Sequence, residues 1–107
     1  RPRLRRFLRP DRNRNGKFKT AVKKKTLNPE FNEDFLFSVS PQELPLKTLE
    51  ITVWDKDFGA KNDFIGALRL GNKCSGERWT HWEAAIKMPY QTHTVWHPLG
   101  VELHHHH

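Results

Sequence analysis

Residues 54–66 read Trp-Asp-Lys-Asp-Phe-Gly-Ala-Lys-Asn-Asp-Phe-Ile-Gly, and no other stretch constrains this chain so strongly. Before it, Leu49, Ile51 and Val53 alternate with Glu50 and Thr52; after it come Phe64, Ile65, Leu68 and Leu70. Alternation with a period of two marks a half-buried strand, so the segment predicts two strands joined by an acidic loop. Such a hairpin gathers Asp55, Asp57 and Asp63 at one end of a sheet. Converging carboxylates repel one another unless a cation neutralises them. Ca²⁺ suits the cluster, because it accepts about six to eight oxygens in a flexible shell. The same residue types are also ordinary solvated turn formers, and the spacing by itself fits both readings.

A chain of 107 residues holds at most one domain with a modest core. Val101-Glu102-Leu103 followed by His104–His107 reads as a purification tail, which leaves residues 1–100 as the domain. The remaining histidines, His81, His93 and His97, are not spaced as a metal pair, and each reads as a lone surface residue. No run approaches the roughly 18 apolar residues needed to span a bilayer, and no signal peptide is visible; a soluble chain is expected. Cys74, the single cysteine, fits a reducing compartment and excludes a cysteine-based zinc site. No Ser/His/Asp or Cys/His grouping with supporting motifs appears, so the chain reads as a non-enzyme.

Charge is distributed very unevenly. Residues 1–25 carry a net +11 and the rest a net −4. An asymmetry of this size points to an anionic partner at one end of the molecule. Within the basic part, Lys17, Lys19, Ala21, Lys23 and Lys25 share one face of a period-two strand, while Phe18 and Val22 lie on the other. A flat stripe of lysines suits surface phosphates; lysines also decorate edge strands against aggregation. The aromatic residues fall mainly on core positions instead of between exposed lysines as stacking platforms, so no nucleic acid is expected as partner.

The rest of the chain predicts short strands. Arg3–Arg9 alternates poorly but contains Leu4, Phe7 and Leu8, and Asn15-Gly16 is a hairpin signal. Phe35, Phe37 and Val39 line one side of a strand over 31–39, and Val95–Leu99 makes a short last strand. Ser40 to Leu44 resembles a capped helical turn before Pro45. Near residues 75–87 the period changes: Trp79, Trp82 and Ile86 mark an amphipathic helix with Ser75 as N-cap. Trp79, Trp82 and Trp96 are expected as core anchors, and Cys74 as an ordinary loop thiol. The fold class is therefore all-β, an antiparallel β-sandwich with one inserted helix.

Residues 23–33 (Lys-Lys-Lys-Thr-Leu-Asn-Pro-Glu-Phe-Asn-Glu), 52–57 (Thr-Val-Trp-Asp-Lys-Asp), 62–66 (Asn-Asp-Phe-Ile-Gly), 76–82 (Gly-Glu-Arg-Trp-Thr-His-Trp) and 96–99 (Trp-His-Pro-Leu) occur in an order that resembles a C2 domain. The likeness is greatest to the second C2 domain of the synaptotagmin, rabphilin and double-C2 proteins, whose features include the helix and the closing Trp-His-x-Leu. It implies a C2-type sandwich, eight-stranded in the family and with about six strands represented here. It also implies Ca²⁺ ligands at Asp55, Asp57 and Asp63, with the Lys56 and Phe58 carbonyls as further contacts. At the loop tip, Phe58 would enter acyl chains while Lys61 meets a phosphate. The lysine strand becomes a phosphoinositide patch made by Lys17, Lys19, Lys23 and Lys25 with Asn28 nearby.

The implied function is a membrane-targeting module that binds anionic phospholipid in vesicle trafficking or exocytosis, cytoplasmic and peripheral to vesicle or plasma membrane. The alternative is a calcium-independent protein-interaction module for acidic segments of membrane-fusion machinery. One departure stands out. The family's other calcium aspartates come from a first loop, and Arg1-Pro2-Arg3 stands where a Ser-Asp-Pro-Tyr-like motif should fall. The N-terminal strands and first calcium loop are thus expected to be lacking, Asp11 lies too far along to substitute, and Ca²⁺ should bind weakly.

Overall fold

A computed structural model of the chain describes residues 2–10, 18–19, 30–56 and 62–101. Four strands, β1 (Pro2–Arg9), β2 (Phe18–Lys19), β3 (Thr48–Lys56) and β4 (Asn62–Gly71), form one antiparallel sheet in the order β2-β1-β3-β4. A single 3₁₀ turn, Leu44–Leu46, precedes β3, and the helix α1, Glu77–Lys87, follows β4. The predicted hairpin around the acidic loop is therefore β3–β4.

The two faces of the sheet follow from the period-two pattern. Leu49, Ile51 and Val53 of β3 are in register with Leu8, Arg6 and Leu4 of β1, and with Leu70, Leu68 and Gly66 of β4. This face meets α1: Leu8, Leu70 and Trp82 form a buried cluster, with Phe37, Val39, Leu44, Leu49, Leu68, Trp79 and Ile86 packed around it. The i, i+3, i+7 spacing of Trp79, Trp82 and Ile86 predicted that helix face correctly. The most buried members, Leu8, Leu70 and Trp82, contribute up to about 1.5–3 kcal/mol each and the half-buried ones less.

On the opposite face the register brings Phe7, Glu50 and Arg69 into line across three strands. Glu50 is only 6% exposed. Its two oxygens accept from Arg69 Nε at 2.9 Å and Arg9 Nε at 3.3 Å. A carboxylate buried in this way needs its charge answered, and these guanidiniums answer it. Arg9 also lies over the Phe7 ring at 4.4 Å. Arg6, the exception to alternation on β1, is buried on the helix-side face. It sits 4.3 Å over the Phe35 ring and 3.8 Å from a Glu33 oxygen.

Several expectations are corrected. Residues 31–39 carry no strand, although Phe35, Phe37 and Val39 are half-buried and alternate with exposed Leu36 and Ser38. The side-chain pattern is that of a strand, but a strand also needs a ladder of backbone hydrogen bonds, and this segment joins no sheet among the described residues. Residues 95–99 likewise form no strand; the chain touches β4 through one bridge, Ala67 to Gly100, with N–H···O distances of 2.9 and 2.8 Å. The helix starts after Gly76, not Ser75: Gly76 takes φ 65°, which glycine adopts without Cβ conflict, and so occupies the cap position. Trp96 is 94% exposed and is no core anchor. Ser40 behaves as predicted, its Oγ accepting from the Glu43 N–H at 3.2 Å. The predicted lysine strand is described only at Phe18–Lys19, and the tail after Val101 lies outside the described residues.

Replacing Glu50 by Ala should cost about 3–5 kcal/mol, because it removes the buried carboxylate that pairs with Arg69 and Arg9 across three strands. Arg9→Ala should cost less than about 1 kcal/mol, its side chain being 47% exposed. Urea unfolding midpoints of the two variants measure the difference.

Candidate functional site

The acidic end is built by the closing hairpin. From Thr48 to Val53 the register of β3 with β4 is regular, but it shifts between Val53 and Trp54: Val53 pairs with Gly66 and Trp54 with Phe64. Ile65 is thus a bulged residue, and it is 47% exposed. Were Ile65 paired instead, Asp63 would stand opposite Lys56. With the bulge, Asp63 stands directly opposite Asp55 and Asn62 opposite Lys56. Bulges of this kind re-aim side chains at functional rims.

Directly opposed residues of an antiparallel pair bring their Cβ atoms to about 4.5–5.5 Å on one face of the sheet, where like charges destabilise the pairing. Two hard carboxylate donors at that spacing fit a Ca²⁺ ion, which their geometry alone would not complete. Asp63 is exposed and Asp55 half-buried. On β1 the residue in register with Asp55 is Pro2, and no group of three or more acidic, histidine or cysteine residues gathers among the described residues. Asp57, Phe58 and Lys61, predicted at the loop tip, lie outside the described residues, as do Lys17, Lys23, Lys25 and Asn28.

The basic end uses the sheet face turned away from α1. Lys19 of β2 is in register with Arg5 of β1, and Arg5 with Thr52 of β3. The Arg5 guanidinium sits 5.3 Å from the Trp54 ring centroid. Trp54 is fixed in turn, its Nε1–H donating to Thr52 Oγ1 at 2.9 Å and its ring meeting Phe64 edge-on at 5.2 Å. Arg3 and Arg5 each keep a buried Nε–H with no acceptor among the described residues. Reading the lysines alone missed Arg3, Arg5 and Trp54. Their signal was present: Arg3, Arg5 and Arg9 share one period-two face of β1, obscured by Arg6 on the other.

Three comparisons bear on these features. The family model described as C2 domain matches residues 4–85. Rabphilin-1 of Caenorhabditis elegans is 42% identical over 84 residues, which span 78% of this chain and 8% of that protein. The crystal structure of a C2 domain of RIM from Drosophila is similar in fold, with a TM-score of 0.59 and 31% identity, covering 64% of this chain and 56% of that one. The chain therefore spans under a tenth of rabphilin-1 and a little over half of the solved domain.

Asp63→Asn should stabilise the chain by roughly 0.2–1 kcal/mol in chelator, by removing one of two opposed negative charges. Added Ca²⁺ should raise the melting temperature of the parent chain and leave that of the variant nearly unchanged. Scanning calorimetry with and without Ca²⁺ reads both effects.

Proposed function

The chain belongs to the C2 domain family, and we propose that it is a non-enzymatic membrane-targeting module that binds anionic phospholipid, phosphoinositide above all. The observation that carries this reading is the register of β1 with β2, which pairs Lys19 with Arg5, whose guanidinium sits 5.3 Å from the Trp54 ring centroid. A guanidinium held against an aromatic plane, with a second basic residue in register on the next strand, offers phosphate oxygens charged donors on a rigid support. Lys17, Lys23, Lys25 and Asn28 would extend the patch along the sequence on either side of Lys19. The net +11 of residues 1–25 supplies long-range attraction to an anionic leaflet, where each basic residue contributes about 1 kcal/mol. Among the described residues no helix is long and apolar enough to cross a membrane, and we take the association as peripheral. A role at the cytoplasmic face of vesicle or plasma membrane, in vesicle trafficking or exocytosis, accords with the resemblance.

Ca²⁺ plays the lesser part in this reading. Asp55, Asp63 and Asp57 would hold it, and the bound ion would supply positive charge to a negative loop, turning repulsion from lipid into attraction. Phe58 and Lys61 then engage acyl chain and phosphate. With Pro2 in register with Asp55 where a further acid would add charge, the expected dissociation constant is about 10⁻⁴–10⁻³ M.

Co-sedimentation with liposomes tests the proposal. Binding should require phosphatidylinositol bisphosphate, persist in chelator, and weaken steeply with salt. Changing Lys17, Lys19, Lys23 and Lys25 together to Ala should remove about 4 kcal/mol, close to a thousandfold in partitioning. Acidic peptides that displace the chain from vesicles at equal charge concentration would favour a protein partner for the same lysines. A calorimetric titration giving micromolar Ca²⁺ affinity would overturn the weak-site reading.

A further inference from the structure

We infer that His81 and His97 form a proton-operated latch, which holds the segment following α1 against the sheet and releases it on acidification. The three histidines expected to be solitary are joined. His81 Nδ1 lies 2.8 Å from His97 Nε2, His81 Nε2 lies 3.1 Å from the His93 carbonyl oxygen, and His93 Nε2 lies 2.8 Å from the Met88 carbonyl oxygen. The His81 and His97 rings are within 14° of parallel with centroids 5.1 Å apart. That separation is about the hydrogen-bond length plus the two ring radii, so the imidazoles meet edge to edge and in line, not face to face.

The carbonyls fix the protons. A carbonyl oxygen only accepts, so His81 Nε2 carries hydrogen and donates to His93. In the neutral ring Nδ1 is then a lone pair, and it accepts from the Nε2–H of His97. One added proton settles on the far Nδ1 of His97 and leaves this bond intact, now charge-assisted. A second added proton must enter His81 Nδ1, which turns N–H against N–H between two imidazolium rings. The closed latch thus holds at most one added proton and the open form two. Because the open form binds more protons, closure is favoured as pH rises and lost as pH falls. Among the charged groups nearby, Arg78 of α1 lines the same groove as His97 and opposes a second proton, Glu77 one turn earlier on α1 favours added protons, and the Arg69 guanidinium is paired with Glu50 across the sheet.

Opening has a defined structural consequence. A Cβ on Gly66 would lie 2.9 Å from Leu99 Cβ and 3.0 Å from the Gly100 oxygen, so the segment rests directly on β4. Its release breaks the reciprocal Ala67–Gly100 hydrogen bonds and bares the outer edge of β4.

Amide hydrogen exchange on the full chain, from about pH 8 to about pH 5 and corrected for intrinsic rates, tests the latch. Protection of the Ala67 and Gly100 amides should fall by up to about tenfold per pH unit on the acid side. The amides at the centre of β3 and in α1 should hold. His97→Gln should keep the protection and lose its pH dependence, since an amide can either donate to or accept from His81. His93→Gln should retain the acid-side loss. The tail histidines are common to all three proteins and cancel in the comparison. Acid-independent protection in the parent chain, or an unchanged acid loss in His97→Gln, would overturn the inference. If His97→Gln unfolds, which the β3 amides report, the parent and His93→Gln profiles decide the matter by the same criterion.

Discussion

The buried carboxylate of Glu50 is the constraint on which the sheet depends. It sits on the central strand with Arg69 on one side and Arg9 on the other. One acidic residue thereby ties three strands together on a face otherwise rich in arginine. Arg3, Arg5, Arg9 and Arg69 all belong to that face, and an uncompensated row of guanidiniums would repel itself. The carboxylate neutralises the lower part of the row, where Arg9 and Arg69 are engaged. In the upper part, beside Trp54, the Nε–H groups of Arg3 and Arg5 find no acceptor among the described residues. Structure and candidate site are thus parts of one charge pattern: the satisfied half holds the sheet, and the other half is the one offered to an anionic surface in the reading proposed above.

The other face solves a different problem with weaker means. A four-stranded sheet presents one apolar face, and α1 with the half-buried side chains of residues 35–46 covers it. Trp82 anchors this layer, although its buried indole N–H has no acceptor among the described residues. After α1 the chain returns to β4 through histidine contacts and a single bridge, not through a ladder. Few hydrogen bonds and few buried apolar contacts leave that segment open to local change.

The legible parts of the fold were those governed by periodicity. Leu49, Ile51 and Val53 announced β3, and Trp79, Trp82 and Ile86 announced the buried face of α1. Residues 31–39 show the limit of that signal. Their pattern of half-buried and exposed side chains was read correctly, yet hydrogen bonding depends on a neighbour that pattern does not encode. Trp96 failed for a related reason, since hydrophobicity names what would profit from burial without naming what covers it. The histidine chain was invisible because His81, His93 and His97 meet only through the return of the segment to the helix. Of the acidic site, the residue types were legible at Asp55 and Asp63. Their confrontation was not, because it depends on register.

That register has a consequence in parity. In the body of the hairpin, partners such as Thr48 and Gly71 carry one even and one odd number; at its mouth Trp54 meets Phe64 and Asp55 meets Asp63, like with like. The mouth therefore counts from the acidic loop and the body counts from the sheet, and Ile65 absorbs the mismatch between the two. A lineage that lost Ile65 would straighten the strand and still set Asp63 against Asp55. One residue gained between Val53 and Trp54 would pair with Ile65 and do the same. Length changes of one residue at the bulge should thus be tolerated on either strand, because each leaves Asp55 facing Asp63 and only straightens the hairpin.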